Sequence, residues 1–214
     1  MDEKENILFS GEEKDILQEI MNIAFGNATA DLAGVFDIYV NLDIPNIQVI
    51  GVGDLPGYIK NATEATQTTS IVDQKFWGDL SGSGVLVFPK KSGESLTEII
   101  DDTVTASIEE KSNTLREKEI ILEIGNILIG ACVGKITELL STFVTYSPPR
   151  VVLGNSAEYE ALVSSYDPNQ VAIVMKTLFT FNKKNINGLL LILTNQESIL
   201  WLQNALHDFM KSYE

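Results

Sequence analysis

Residues 19–26 read EIMNIAFG, and residues 123–130 read EIGNILIG. The two octapeptides stand 104 positions apart, and the same shift superimposes much of the rest of the chain. Leu17 falls on Ile121, Leu32 on Ile136, Pro45 on Pro149, Gly84 on Gly188 and Leu96 on Leu200, while VLVF (85–88) stacks on LLLI (189–192). A constant offset kept over about 80 positions is what duplication and fusion of one structural unit leaves behind. It predicts one domain over residues 1–214, made of two repeats at about 10–100 and 114–211 and related by a pseudo-twofold axis.

Each unit reads as helix, strand, hairpin, helix. Ser10-Gly11-Glu12-Glu13 has the capping-box spacing that satisfies free backbone N–H groups, so the first helix starts there. It is expected to run through Leu32, with Gly34 as its stop signal. Pro45 precedes a strand at 47–52. Residues 77–93 (WGDLSGSGVLVFPKKSG) read as part of a hairpin leading into a short helix, SLTEIID (95–101). A polar connection over 102–114 runs into the second long helix, 115–141. Pro148 and Pro149 precede a strand at 150–153, residues 171–193 form a second hairpin turning at 182–187, and 197–211 is a terminal helix. Strands joined by turns rather than by crossover helices favour an antiparallel sheet. The expected fold class is therefore α+β: a pseudo-twofold duplicated unit with two long helices packed on one shared antiparallel sheet.

The long helices carry the chemistry. At 100° per residue Asp15, Glu19 and Asn22 fall within an arc of about 60°. Ile16, Leu17, Ile20, Ile23 and Ala24 lie opposite and are expected to pack on the sheet. Glu119, Glu123 and Asn126 repeat the arrangement, backed by Ile120, Ile121, Ile124 and Ile127. Polar residues on an outer helix face are ordinarily just solvated, and with 18 Glu and 15 Asn in the chain about one chance E-x-x-N match is expected. The proline is more telling. In each half a proline follows the asparagine after 22 intervening residues, although the chain has only six prolines.

The pattern Asp15-x3-Glu19-x2-Asn22-x22-Pro45 resembles the signature of the CheC, CheX and FliY chemotaxis phosphatases, CheC above all. The second copy has Glu119 at its first position, where the family uses Asp or Ser, and matches at Glu123, Asn126 and Pro149. EIMNIAFG and EIGNILIG are similar to the family's helix text, with Met21 in place of a usual glycine. The resemblance implies hydrolysis of the aspartyl phosphate on a CheY-type receiver. Glu19 and Glu123 would anchor a lysine of the receiver, and Asn22 and Asn126 would orient the attacking water; Asp15, Pro45, Glu119 and Pro149 would support the motif. It implies no cofactor of the protein's own, since Mg²⁺ is expected on the phosphorylated regulator. A CheD-type deamidase is a further partner implied by family alone. An aspartyl phosphate is already reactive, so the remaining task is placing a water in line. A carboxamide suits it, because it both accepts and donates without titrating. The alternative expectation is a non-enzymatic adaptor that binds a regulator or a CheD-type deamidase. A flagellar-switch component like FliY is the weaker expectation, because such proteins carry an added C-terminal domain.

Composition agrees with this class. The formal charge of −15 argues against a nucleic-acid backbone or an anionic membrane surface and suits a partner with a basic patch. The single cysteine, Cys132, forbids an intramolecular disulfide. The first ten residues show no signal-peptide pattern, and the best apolar run, 120–136, is read as too short and too polar to span a bilayer. A cytoplasmic protein is expected. His207 has no catalytic company, Cys132 reads as a buried inert thiol, and Phe76, Trp77 and Phe88 read as core. SGSG (81–84) lacks the residues of a phosphate loop and reads as a bulge or tight turn. Lys90-Lys91 and Lys183-Lys184 read as solvated turn ends.

Overall fold

The computed structural model describes residues 9–37, 39–43, 46–62, 69–89, 95–96, 98, 113–154, 164–167, 170–181 and 184–211. In chain order the elements are α1 (Gly11–Phe36), β1 (Val40–Leu42), β2 (Asn46–Gly51), α2 (Leu55–Ala62), β3 (Thr69–Gly78), β4 (Gly82–Pro89), α3 (Asn113–Leu139), β5 (Val144–Tyr146), β6 (Arg150–Gly154), β7 (Val171–Phe181), β8 (Lys184–Thr194) and α4 (Gln196–Lys211). The fold is α+β, with one antiparallel sheet. The turn at 90–94 and the connection at 102–112 lie outside the described residues, as do Pro45 and Lys183; of the short helix expected at 95–101, Ser95, Leu96 and Glu98 are seen to be helical.

α1 starts where the sequence says it should. Ser10 Oγ accepts from Glu13 N at 3.1 Å, and Glu13 Oε2 accepts from Ser10 N at 2.6 Å, closing the capping box. Its end is later than expected. Gly34 lies inside the last turn, and the helix continues to Phe36, whose burial extends the apolar stripe past Leu32. Packing thus outweighs the glycine's intrinsic preference. The chain leaves α1 through Asp37 at φ 52° and leaves α3 through Ser141 at φ 56°. These are the two non-glycine residues with positive φ among those described, and they too are 104 apart.

The sheet carries the same offset of 104. Strand order is β1-β7-β8-β4-β3-β5, with β2 also on β7 and β6 also on β3. At its centre β4 pairs with β8, and Leu86 is the direct partner of Leu190, the residue 104 positions later. The pseudo-twofold axis passes through that pair. Each half gives its first two strands to the other: β1 and β2 pair with β7, whereas β5 and β6 pair with β3. Neither repeat completes its sheet alone. One register detail corrects the gapless alignment. Val40 partners Phe181 while Val144 partners Gly78, so β7 is displaced by 103 from β3, and the shorter β7–β8 turn absorbs the missing residue.

The apolar runs of the inner strands serve two faces. Leu86 and Phe88 join the main core with α1, α3 and α4; Val85 and Val87 join a second cluster with Leu55 and Ile59 of α2. The sequence reading missed α2, β1 and β5, which are short and lack a long periodic pattern. SGSG is neither bulge nor isolated turn, since Gly82 and Gly84 lie within β4. A Cβ on Gly84 would meet the side chain of Ile129, so this glycine lets α3 lie close on the sheet. Phe76 and Phe88 are buried as expected, but Trp77 is 50% exposed, because β3 turns it away from the helix-covered face. α3 has the expected 27 residues but starts and ends two earlier, and the reading of its apolar run as too short and too polar needs correcting: Leu115–Leu139 could cross a membrane by length and composition, yet over half of its apolar window is buried in this fold. That is the pattern of a core helix.

Candidate functional site

On α1 the inward stripe is Leu17, Ile20, Met21, Ala24, Phe25, Ala28, Leu32 and Phe36, all buried. Asp15, Glu19 and Asn22 are consequently left on the exposed side. Ile23, expected in the core, is 41% exposed. Met21 and Phe25 take the inner positions instead and turn Ile23 out beside Glu19. On α3, Ile120, Ile121, Ile124, Leu128 and Ile129 are buried, Glu119 is exposed, and Glu123 and Asn126 are half-buried. Each long helix therefore displays a carboxylate and a carboxamide one turn apart. Leu115, one turn before Glu119 and two turns before Glu123, is also exposed.

The two sites are built differently. Among the described residues no hydrogen bond reaches the Asn22 side chain. Asn126 Oδ1 instead accepts from Gln74 Nε2 at 3.2 Å, and the same Nε2 donates to the Ser147 carbonyl at 3.1 Å. Gln74 is buried in β3, on the helix-facing side with Val72 and Phe76. Its other end, Oε1, is buried without a partner among the described residues. Ser147 is clipped to the strand: its N–H donates to the Lys75 carbonyl at 2.9 Å, and its Oγ accepts from Lys75 N at 3.1 Å. Pro149, two residues on, is half-buried and leads directly into β6. This gives the asparagine-to-proline spacing a physical content in the second half, because the loop that holds Pro149 also holds the carbonyl that orients Gln74. Pro45 lies outside the described residues.

Gln74 is the residue the sequence reading missed. The signal was a carboxamide at an inward-facing position of an otherwise apolar strand phase, between Val72 and Phe76. The opposite phase carries a separate polar cluster. Asp73, 1% exposed, accepts from Arg150 Nη2 and, at 3.2 Å, from the Tyr166 hydroxyl. That carboxylate raises the pKa of Arg150 through its hydrogen bond and charge. Other nucleophile and metal readings gain nothing. No group of three or more His, Cys, Asp or Glu suited to a metal ion occurs among the described residues. Burial pushes the Cys132 thiol well above its ordinary range, which makes thiolate chemistry remote. His207 is exposed on α4.

This geometry has known relatives. No family model matches the chain. The CheY-P phosphatase CheC of Bacillus subtilis (strain 168) is 23% identical over 175 residues, covering 79% of this chain and 82% of CheC. FliY of Thermotoga maritima superimposes with a TM-score of 0.69 at 19% identity, over 95% of this chain and 100% of that one. FliM of H. pylori, solved with SpeE, gives 0.63 at 11% identity, over 94% and 97% of the two chains. CheX of Borrelia burgdorferi, solved with CheY, BeF3 and Mg²⁺, gives 0.50 at 12% identity, over 82% and 98%. The chain has the fold shared by CheC, CheX and FliY. Within that class its sequence is similar to that of CheC over 79% of its length.

Proposed function

We propose that the protein hydrolyses the aspartyl phosphate of a CheY-type response regulator, with Glu19/Asn22 and Glu123/Asn126 as its two sites. The observation that carries the reading is the duplicated display: a carboxylate and a carboxamide one turn apart on each of two helices, in the fold of a CheX solved with CheY. Asn22 or Asn126 holds a water in line with the phosphorus. The water oxygen forms a new bond to phosphorus, the bond to the aspartyl oxygen breaks, and the regulator's carboxylate and inorganic phosphate leave. Mg²⁺ belongs to the regulator and neutralises the phosphoryl oxygens there. Glu19 or Glu123 pairs with a lysine of the regulator, and the pair strengthens as docking removes water. Exposed Ile23 supplies apolar contact beside Glu19.

The test is phosphate release from a CheY-type regulator phosphorylated by a small-molecule donor with Mg²⁺, with and without the protein. Acceleration by the wild-type chain is expected, with loss of nearly all of it in N22A/N126A. Hydrolysis at the wild-type rate in that double variant would sink the mechanism. The likeness to FliM, solved in complexes with SpeE and with FliG, favours a second reading. In it the chain is a binding protein without catalysis, its partner a regulator or a CheD-type deamidase. Binding retained by N22A/N126A, with no acceleration from the wild type, selects that reading.

A further inference from the structure

We infer that Gln74 is a positioning residue for Asn126, and that the second site is pre-organised in a way the first is not; the catalytic part of this inference rests on the phosphatase reading above. The orientation follows from one fact. A main-chain carbonyl can only accept, so the end of Gln74 that faces Ser147 O must be its NH2. The atom of Asn126 that meets the same NH2 must then be Oδ1. The carboxamide of Asn126 is thereby held in one of its two flips. One lone pair of Oδ1 is engaged by Gln74, and the second lone pair and both N–H groups remain for a water.

The device has two parts, and the first site lacks both. Gly125, next to Asn126, lets α3 lie against β3: a Cβ there would stand 2.6 Å from Val72 Cγ1. The repeat position on α1 is Met21, which carries a full, buried side chain where α3 has none. Gln74 sits opposite Gly84 in the β3–β4 ladder; opposite Gly188 in the β7–β8 ladder stands Thr177, which has no carboxamide. A buried Oε1 without a partner among the described residues costs stability, so packing gives no reason for a glutamine at position 74. Holding Asn126 gives one. A catalytic group fixed before the partner docks avoids the ordering cost at the moment of reaction.

The experiment uses the full chain and the substitution Gln74→Met, which keeps length and removes the donor. In an N22A background, where only the second site remains, Q74M is expected to lower kcat about tenfold with KM unchanged, the scale of one lost positioning hydrogen bond. In an N126A background Q74M should cause no further loss. A structural role for Gln74 would not produce that split between kcat and KM, nor that coupling to one asparagine. Side-chain amide relaxation by NMR supplies a readout independent of activity: Asn126 is expected to be more ordered than Asn22 in the wild type and to match it in Q74M. Unchanged kcat in N22A/Q74M, a rise in KM alone, or an Asn126 amide as mobile as Asn22 in the wild type would each overturn the inference. Absence of hydrolysis by the wild type overturns the phosphatase reading and the catalytic role of Gln74 with it, while an ordered Asn126 amide would still uphold the hydrogen bond itself.

Discussion

Gly125→Ala is a stringent test of how closely α3 lies on the sheet. The new Cβ would stand 2.6 Å from Val72 Cγ1 and 2.7 Å from its Cβ and Cγ2, where ordinary contact begins near 3.4 Å. Val72 cannot retreat. It is β-branched, fully buried, and paired on one side with Leu86 and on the other with Val151. Relief therefore requires α3 to lift by several tenths of an ångström, an overpacking cost of about 1–3 kcal/mol. Alanine recovers about 1 kcal/mol over glycine in a helix interior, leaving a net destabilisation of about 1 kcal/mol. Gly130, in the same helix, isolates the two effects. Nothing lies within 4 Å of a Cβ there, so G130A should stabilise by about 1 kcal/mol through propensity alone. Equilibrium urea unfolding followed by far-UV circular dichroism reads both, and the midpoints should move in opposite directions. V72A/G125A should be more stable than the sum of its single changes, because each relieves the other. If G125A stabilised as much as G130A, the close approach of α3 to β3 would be wrong.

Two further perturbations probe the sheet's other contacts. Tyr146 has a buried hydroxyl without a partner among the described residues, so Tyr146→Phe should be neutral or stabilising by up to about 1–2 kcal/mol in the same unfolding assay. Burial pushes its pKa up to about 12, so the folded state holds this proton more tightly than the unfolded state does. Stability is then lost as pH rises from about 10 toward 12, and Y146F should flatten that part of the profile. Arg150→Met leaves the buried Asp73 carboxylate with Tyr166 as its donor, and should destabilise by about 2 kcal/mol, below the 3–5 typical of a fully buried pair because Arg150 is largely exposed. A loss under about 0.5 kcal/mol would mean that the Asp73 cluster is well satisfied without arginine.

What the sequence disclosed, it disclosed through repetition. The offset of 104 that aligned Glu19 with Glu123 is the offset between Leu86 and its partner Leu190, so a property of the text became a symmetry axis. The carboxylate and carboxamide ridges were legible because a 100° period turns spacing into direction, and Leu17, Ile20 and Ile124 are buried as that period demands. Strand exchange was not legible. Nothing local distinguishes β6 pairing with β3 from β6 pairing with β7, since both choices satisfy the same ladder and the same apolar faces. Ile23 and Trp77 were misplaced for a related reason: an apolar side chain shows that a core is available to it, not which neighbour takes the place first.

Gln74 marks a different limit. It lies 52 residues from Asn126, and only the closeness permitted by Gly125 and Gly84 brings the two carboxamides together. Motif logic sees the group that meets a substrate; it does not see the group that holds that one still. Having both motif helices in one chain allows the two halves to differ here. Once both sites lie in one chain, a change such as Met21 in one helix leaves the other helix free to keep its glycine and its strand contact. Two copies of the same motif are then two different chemical environments: Asn22 exposed and without a hydrogen-bond partner among the described residues, Asn126 half-buried and bonded. Equal letters at positions 22 and 126 therefore do not imply equal rates. On the phosphatase reading proposed above, the single-asparagine variants, compared at saturating regulator, should differ in kcat because the helices differ in how the carboxamide is held; Glu19 is exposed and Glu123 half-buried, so a difference in KM should accompany it.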